Sequence, residues 1–166
     1  MKTRGKTVCV IGFVLYLLLL VFLVIFKLDL NISNAYRFRE LILIPYYRPV
    51  AINRTVVEEL VMNVVAFIPL GMYLSMLEFP KKIWARILAG FGLSLAFETA
   101  QYVFAIGTSD VTDLINNTLG TAIGVLLFIP IKKLLKDKAV PVVSWTLLVL
   151  QLLALFVYMF LWGVNF

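Results

Sequence analysis

Apolar residues fall in long blocks along this chain, and short charged segments separate the blocks. Val8–Phe26 holds 19 consecutive residues without a charge. A helix needs about 20 predominantly apolar residues to cross the hydrocarbon core of a bilayer. Five segments meet or approach that length: Val8–Phe26, Leu60–Leu77, Ile87–Ile106, Leu114–Ile131 and one within Val142–Val164. The pattern predicts an all-α fold, a polytopic integral membrane protein built as a bundle of about five transmembrane helices. Residues 1–166 form a single membrane domain, with no internal repeat, low-complexity stretch or soluble domain.

Composition agrees with the pattern. Hydrophobic residues make up 63% of the chain and charged residues 14%, against roughly 45–50% apolar in a soluble domain. Lipid must cover the excess. The first block is longer than the apolar core of a secretory signal, about 7–15 residues, and no small-residue cleavage pattern follows it, so it reads as a retained helix. The single cysteine, Cys9, lies in that block and reads as a buried, inert thiol; it allows no internal disulfide. The absence of histidine excludes Ser–His triads and histidine-ligated zinc.

Charge then sets the orientation. The net charge of +6 would raise nucleic acid as a partner for a soluble protein. Here the bases stand between apolar runs, so they read as topology signals and headgroup contacts, and nucleic acid is not expected. Lys2, Arg4, Lys6, Lys81, Lys82, Arg86, Lys132, Lys133, Lys136 and Lys138 all fall on one side. That side is predicted to be cytoplasmic. The bases on the other side are spread over one longer extracytoplasmic loop between helices 1 and 2, which also carries acids. The N-terminus is therefore expected inside and the C-terminus outside a plasma membrane. Trp145 and Trp162, 17 residues apart, are spaced to reach opposite interfaces, about 25 Å on a helix. The apolar stretch Leu41–Tyr47 should lie on or dip into the outer interface.

This topology gathers the intramembrane polar residues. Glu98 is eight residues before Ile106, about 12 Å along the helix. Gln101 lies one turn nearer the surface, and Asn116 and Asn117 sit in the first turns of the fourth span. Asn63 begins the second span. Every polar group of weight falls in the outer half. Gly90, Ser94 and Glu98 share a helical face, as do Asp113, Asn117, Gly120 and Gly124. Gly120 and Gly124 form a GxxxG pattern, which favours close helix packing. An acid at mid-membrane costs about 2.5–3.5 kcal/mol on insertion scales. Glu98 therefore has to face the bundle, stay protonated or find a partner, for which Gln101, Asn117, Arg48 and Arg54 are candidates. Asp110 and Asp113 suit either a helix cap or a site. The candidate ligand-binding set is Asn63, Glu98, Gln101, Asp110, Asp113, Asn117, Arg48 and Arg54. Glu98, Asp110 and Asp113 are also the candidates for any acid–base chemistry or for a hard divalent cation. No other cofactor is expected.

The ordered motifs resemble the VanZ-like family of bacterial membrane proteins. "NVVAFIPLG" (Asn63–Gly71) is similar to the family's Asn…Phe-x-Pro-x-Gly element, and "SLAFETAQ" (Ser94–Gln101) to its Ser…Glu-x-x-Gln element. "DVTDLINNTLG" (Asp110–Gly120) is similar to its Asp-x-x-Asp-x-x-x-Asn-Thr-x-Gly element, and "LILIPYY" (Leu41–Tyr47) to its first-loop stretch. Together these span about residues 39–124. Many members carry an arginine where this chain has Thr108 and Ser109, and an asparagine where it has Ile42. The resemblance implies resistance to teicoplanin-type glycopeptide antibiotics at the cell envelope. Two readings remain: a polar, outward-facing site that binds or shields a lipid-tailed antibiotic or lipid-linked wall precursor, or an intramembrane carboxylate enzyme acting on such a substrate. A third reading is a transporter or a structural partner of other membrane proteins, and five spans without a detectable repeat argue against an inverted-repeat carrier.

Overall fold

The computed structural model describes residues 3–25, 38–46 and 54–164. In chain order they form α1 (Thr3–Ile25), β1 (Phe38–Ile42), α2 (Arg54–Met76), α3 (Ile83–Phe104), β2 (Ile106–Asp110), α4 (Val111–Leu135) and α5 (Ala139–Val164). Among the described residues, four helical stretches are long and apolar enough to cross a membrane: Gly5–Val24, Val57–Met76, Ile83–Phe104 and Val111–Phe160. Their outward faces are apolar, with Leu18, Leu88, Leu126 and Phe156 more than half exposed. Lipid is the solvent that tolerates such a surface.

The stretch Val111–Phe160 has 50 residues, which would be about 75 Å of straight helix. It is not straight. A 3-10 turn at Lys136–Lys138 divides it, with Lys136 at φ 48°. Near the end of α4, Lys132 meets Glu78 just past α2, at 2.5 Å. On α5, Ser144 reaches the Met76 sulfur at 3.5 Å, and Gln151 donates to the Tyr73 hydroxyl at 3.0 Å. Advancing along α5 thus moves back along α2. So α4 runs parallel to α2, and α5 returns antiparallel to both. One end of the bundle carries Val24, Asn63, Gln101 and the β2–α4 junction. The other carries Gly5, Glu78, Arg86 and the Lys136–Lys138 turn.

Glycine sets the tightest contact. A Cβ on Gly71 would collide with the Thr121 carbonyl oxygen, one on Gly120 with that of Val64, and one on Gly124 with that of Ile68. The backbones of α2 and α4 therefore touch along the GxxxG face, as that pattern allows. Around this seam the core packs Phe67, Leu70, Tyr73, Phe97 and Phe128, and α1 closes one flank through Cys9, Tyr16 and Leu20, all buried. The Cys9 thiol is buried as its position in the first apolar run suggests.

Two helix ends use left-handed residues. Glu78, at φ 53°, follows α2, and the Phe79 N–H bonds back to the Leu74 carbonyl at 3.1 Å. This is the six-to-one bond of a Schellman closure, where glycine is usual. The Glu78 side chain instead pairs with Lys132, whose ammonium holds the carboxyl below its ordinary pKa. α3 closes on Ala105 at φ 55°, whose N–H bonds to the Gln101 and Tyr102 carbonyls. The left-handed region costs a non-glycine residue about 1–2 kcal/mol. Ala105→Gly removes that cost but loosens the unfolded chain by about 0.4–1 kcal/mol. Thermal unfolding in detergent should show it neutral or slightly more stable than wild type. A clear loss of stability would contradict the assigned backbone.

The structure departs from the sequence reading at the polar end. The turn after α3, expected as a loop, is strand β2. It pairs in parallel with β1 in the register Phe38↔Ile106 to Ile42↔Asp110, and the Thr108 hydroxyl donates to Glu40 at 3.1 Å. Helices also start earlier than the apolar count predicts. α2 begins at Arg54 rather than Leu60 and α4 at Val111 rather than Leu114, because helical hydrogen bonding continues through polar residues beyond the apolar run. Trp145 is about half exposed on α5, and the side chain of Trp162 lies outside the described residues. A polar contact also occurs mid-bundle, between Gln151 and Tyr73. Polar groups are thus not confined to one half.

Candidate functional site

The site forms where β2 turns into α4 over the C-terminal part of α3. Asp110 ends β2 in extended conformation and caps α4, its side chain accepting from the Thr112 N–H at 2.7 Å. This satisfies one of the donors that a helix start leaves without an internal partner. The Asp110 N–H itself points the other way and donates to Glu98 Oε2 at 2.8 Å. The Ser109 side chain lies near the same carboxyl. Glu98, Ser109 and Asp110 are all buried. Glu98 therefore tethers the end of β2 to α3, and Asp110 starts the next helix from that tether.

Four further bonds tie neighbouring elements to α4. Asn63 on α2 donates to Asp113 Oδ1 at 2.6 Å. Asn117 donates to the Ser94 hydroxyl of α3 at 2.9 Å. From the segment after β1, Tyr46 gives its backbone N–H to the Thr112 hydroxyl at 3.0 Å and its phenol O–H to Asn116 Oδ1 at 3.3 Å. Tyr46 adopts φ 57°. One turn deeper, Thr121 is fully buried and returns its hydroxyl to the Asn117 carbonyl at 3.0 Å.

Of the candidate residues, Asn63, Glu98, Asp110, Asp113 and Asn117 come together at this end of the bundle. Their pairing differs from expectation. The partner of Glu98 is a backbone amide, not Gln101 or Asn117. Gln101 instead donates to the Val24 carbonyl of α1 at 3.0 Å, one of the last-turn carbonyls that a helix leaves unpaired. Arg48 lies outside the described residues, as does the side chain of Arg54. Tyr46, Thr112 and Asn116 belong to the site although the candidate set omits them. The Asn116–Asn117 doublet and the tyrosines of the outer stretch were visible in the sequence, but nothing there showed which would fold over the helix start.

Three buried atoms of this region have no hydrogen-bond partner among the described residues: Gln101 Oε1, Asn116 Nδ2 and Asn117 Oδ1. Buried polar atoms are nearly always paired. Two acceptors and one donor are thus available for a ligand or for water. Among the described residues no group of three or more carboxylate or cysteine side chains is arranged to hold a metal ion.

The same motifs that build this geometry mark the lineage. The family model of VanZ/LLP1 matches residues 13–136. The chain belongs to the VanZ/LLP1 family. It is 36% identical to "Protein VanZ" of Enterococcus faecium over 150 residues, which covers 87% of this chain and 88% of that protein. No solved structure matches it. With its long apolar helices, the chain is a bacterial membrane protein of this family. The matched span contains the described elements of the site: Asn63 and Gly71 on α2, Ser94 and Glu98 on α3, Asp110 at the end of β2, and Thr112–Gly120 on α4. Within it, Phe67 is fully buried against Phe97, ring centroids 6.3 Å apart.

Proposed function

We propose that the chain contributes to resistance to teicoplanin-type glycopeptides through an outward-facing polar site that binds or shields a lipid-tailed or lipid-linked ligand. α4 and α5 each cross the membrane, giving five crossings with the N-terminus inside and the C-terminus outside. The antiparallel return of α5 and the bases gathered at the opposite end support that topology. The site then opens toward the outer leaflet, where glycopeptides meet wall precursors.

The observation that carries the reading is the buried polar cluster with its three unpartnered atoms, beside an apolar outer segment. Leu41, Leu43, Ile44 and Tyr46 are each more than half exposed there. Polar atoms inside and apolar side chains at the mouth suit an amphiphile, with hydrogen bonds orienting its head and lipid-like contacts holding its tail. Glu98 and Asp113 keep the α2–α3–α4 end in register for that ligand, and the acid group of Glu98 is itself part of the site that meets it.

Expression in a susceptible Gram-positive host tests the reading. The inhibitory concentration of teicoplanin should rise, while that of a glycopeptide without a lipid tail stays at the host level. Asn63→Ala, which removes the link to Asp113, should lower the teicoplanin effect at equal membrane abundance. An equal rise for tailed and tailless drugs, or no rise for either, would contradict the proposal.

A further inference from the structure

A cleft of about 1330 Å³ opens at the end of the bundle opposite the polar cluster. It lies between the start of α1, the end of α2 and the turn that joins α4 to α5. Its rim and floor differ in chemistry. Lys6, Lys132, Lys136 and Lys138 line it, against two carboxylates, Glu78 and Asp137. Lys132 is engaged by Glu78. No carboxylate pairs with Lys6, Lys136 or Lys138 among the described residues. The floor is apolar, with Met76, Leu77, Phe128 and Trp145. Beyond the Glu78–Lys132 pair a smaller hollow of about 210 Å³ adds Arg86 and Lys133. The Ser75 hydroxyl faces that hollow, buried and without a partner among the described residues.

We propose that this cleft binds one anionic phospholipid from the leaflet on the basic side, its phosphate held by Lys6, Lys136 and Lys138 and its chains laid over Met76, Phe128 and Trp145. The cationic rim and the apolar floor fix the occupant together. A free anion would satisfy the lysines but leave the floor against water. A zwitterionic lipid would bring an ammonium group among four lysines opposed by only two acids, of which Glu78 is already paired. An anionic lipid matches both surfaces, as in basic pockets between membrane helices. Trp145 stands where an amphipathic ring sits at the headgroup level. The inference does not depend on the teicoplanin reading, since the two sites occupy opposite ends.

Native mass spectrometry of the full-length protein in detergent, titrated with phosphatidylglycerol or phosphatidylcholine, tests it. Wild type should retain phosphatidylglycerol in preference to phosphatidylcholine. The triple variant Lys6→Gln, Lys136→Gln, Lys138→Gln should retain phosphatidylglycerol about a hundredfold more weakly, each lysine losing its attraction to an anionic headgroup. These lysines reach outward from the bundle, so the variant should fold, and an unchanged circular dichroism melt will verify that. Trp145→Ala should weaken retention without changing the preference for the anionic head. Equal retention of both lipids, an unchanged triple variant, or displacement of the lipid by millimolar inorganic phosphate would overturn the proposal.

Discussion

Gly124→Ala is expected to destabilise the folded bundle by about 1–3 kcal/mol, the range for forcing extra volume into a packed interior. The added methyl would run into the Ile68 carbonyl oxygen, a backbone atom that no rotamer change can move. α2 and α4 would have to separate, and Gly71 and Gly120 sit on the same seam, so the whole interface would shift. The Asn63–Asp113 bond near the N-terminal ends of α2 and α4 would lengthen with it. A larger side chain, as in Gly124→Leu, should remove the protein from the membrane altogether. Gly92→Ala is the control. A methyl there meets nothing within 4 Å, and alanine in a helix is favoured over glycine by roughly 0.5–1 kcal/mol. Thermal unfolding in detergent, followed by size-exclusion chromatography, should therefore shift in opposite directions for the two variants. A Gly124→Ala protein as stable as wild type would show that α2 and α4 do not touch through these glycines.

The second large effect is at Glu98. Glu98→Ala leaves the buried Asp110 N–H without its acceptor, and a buried donor left unpaired costs about 1–3 kcal/mol. The cost falls on the β2–α4 junction, which also carries Tyr46 through Thr112. The variant should lose stability and teicoplanin resistance together. Glu98→Gln keeps an oxygen for the amide and replaces the acid group with a neutral carboxamide. It should fold like wild type yet return teicoplanin sensitivity to the level of the host. Full resistance in Glu98→Gln would make the side chain a tether and nothing more.

The sequence made the apolar blocks legible because lipid leaves a simple requirement on length and hydrophobicity. The polar end was legible in part. Asn63, Glu98, Asp113 and Asn117 stand at positions that the alternating topology brings to one end of the bundle, and the glycine face announced close packing. The pairings were not legible. A search among side chains for the partner of Glu98 cannot find a backbone N–H, which every residue has. Gln101 turned to α1 because the last carbonyls of that helix need donors, and only the packing of α1 against α3 reveals it. The β1–β2 pair joins "FRELI" to "IGTSD", two short segments without clear alternation, distant in sequence and parallel. Gln151 faces Tyr73 within a helix whose surrounding residues read as uniformly apolar.

A role at the outer leaflet requires the polar cluster to face the cell exterior, and single-cysteine labelling of intact cells reads that orientation. With Cys9, itself fully buried, replaced by alanine, cysteines are placed at Thr108, beside the cluster, and at Lys138, in the basic turn. A membrane-impermeant maleimide should label Thr108→Cys in intact cells and reach Lys138→Cys only after the cells are opened. Labelling of Lys138→Cys alone in intact cells would place the cluster in the cytosol and refute an outward-facing site.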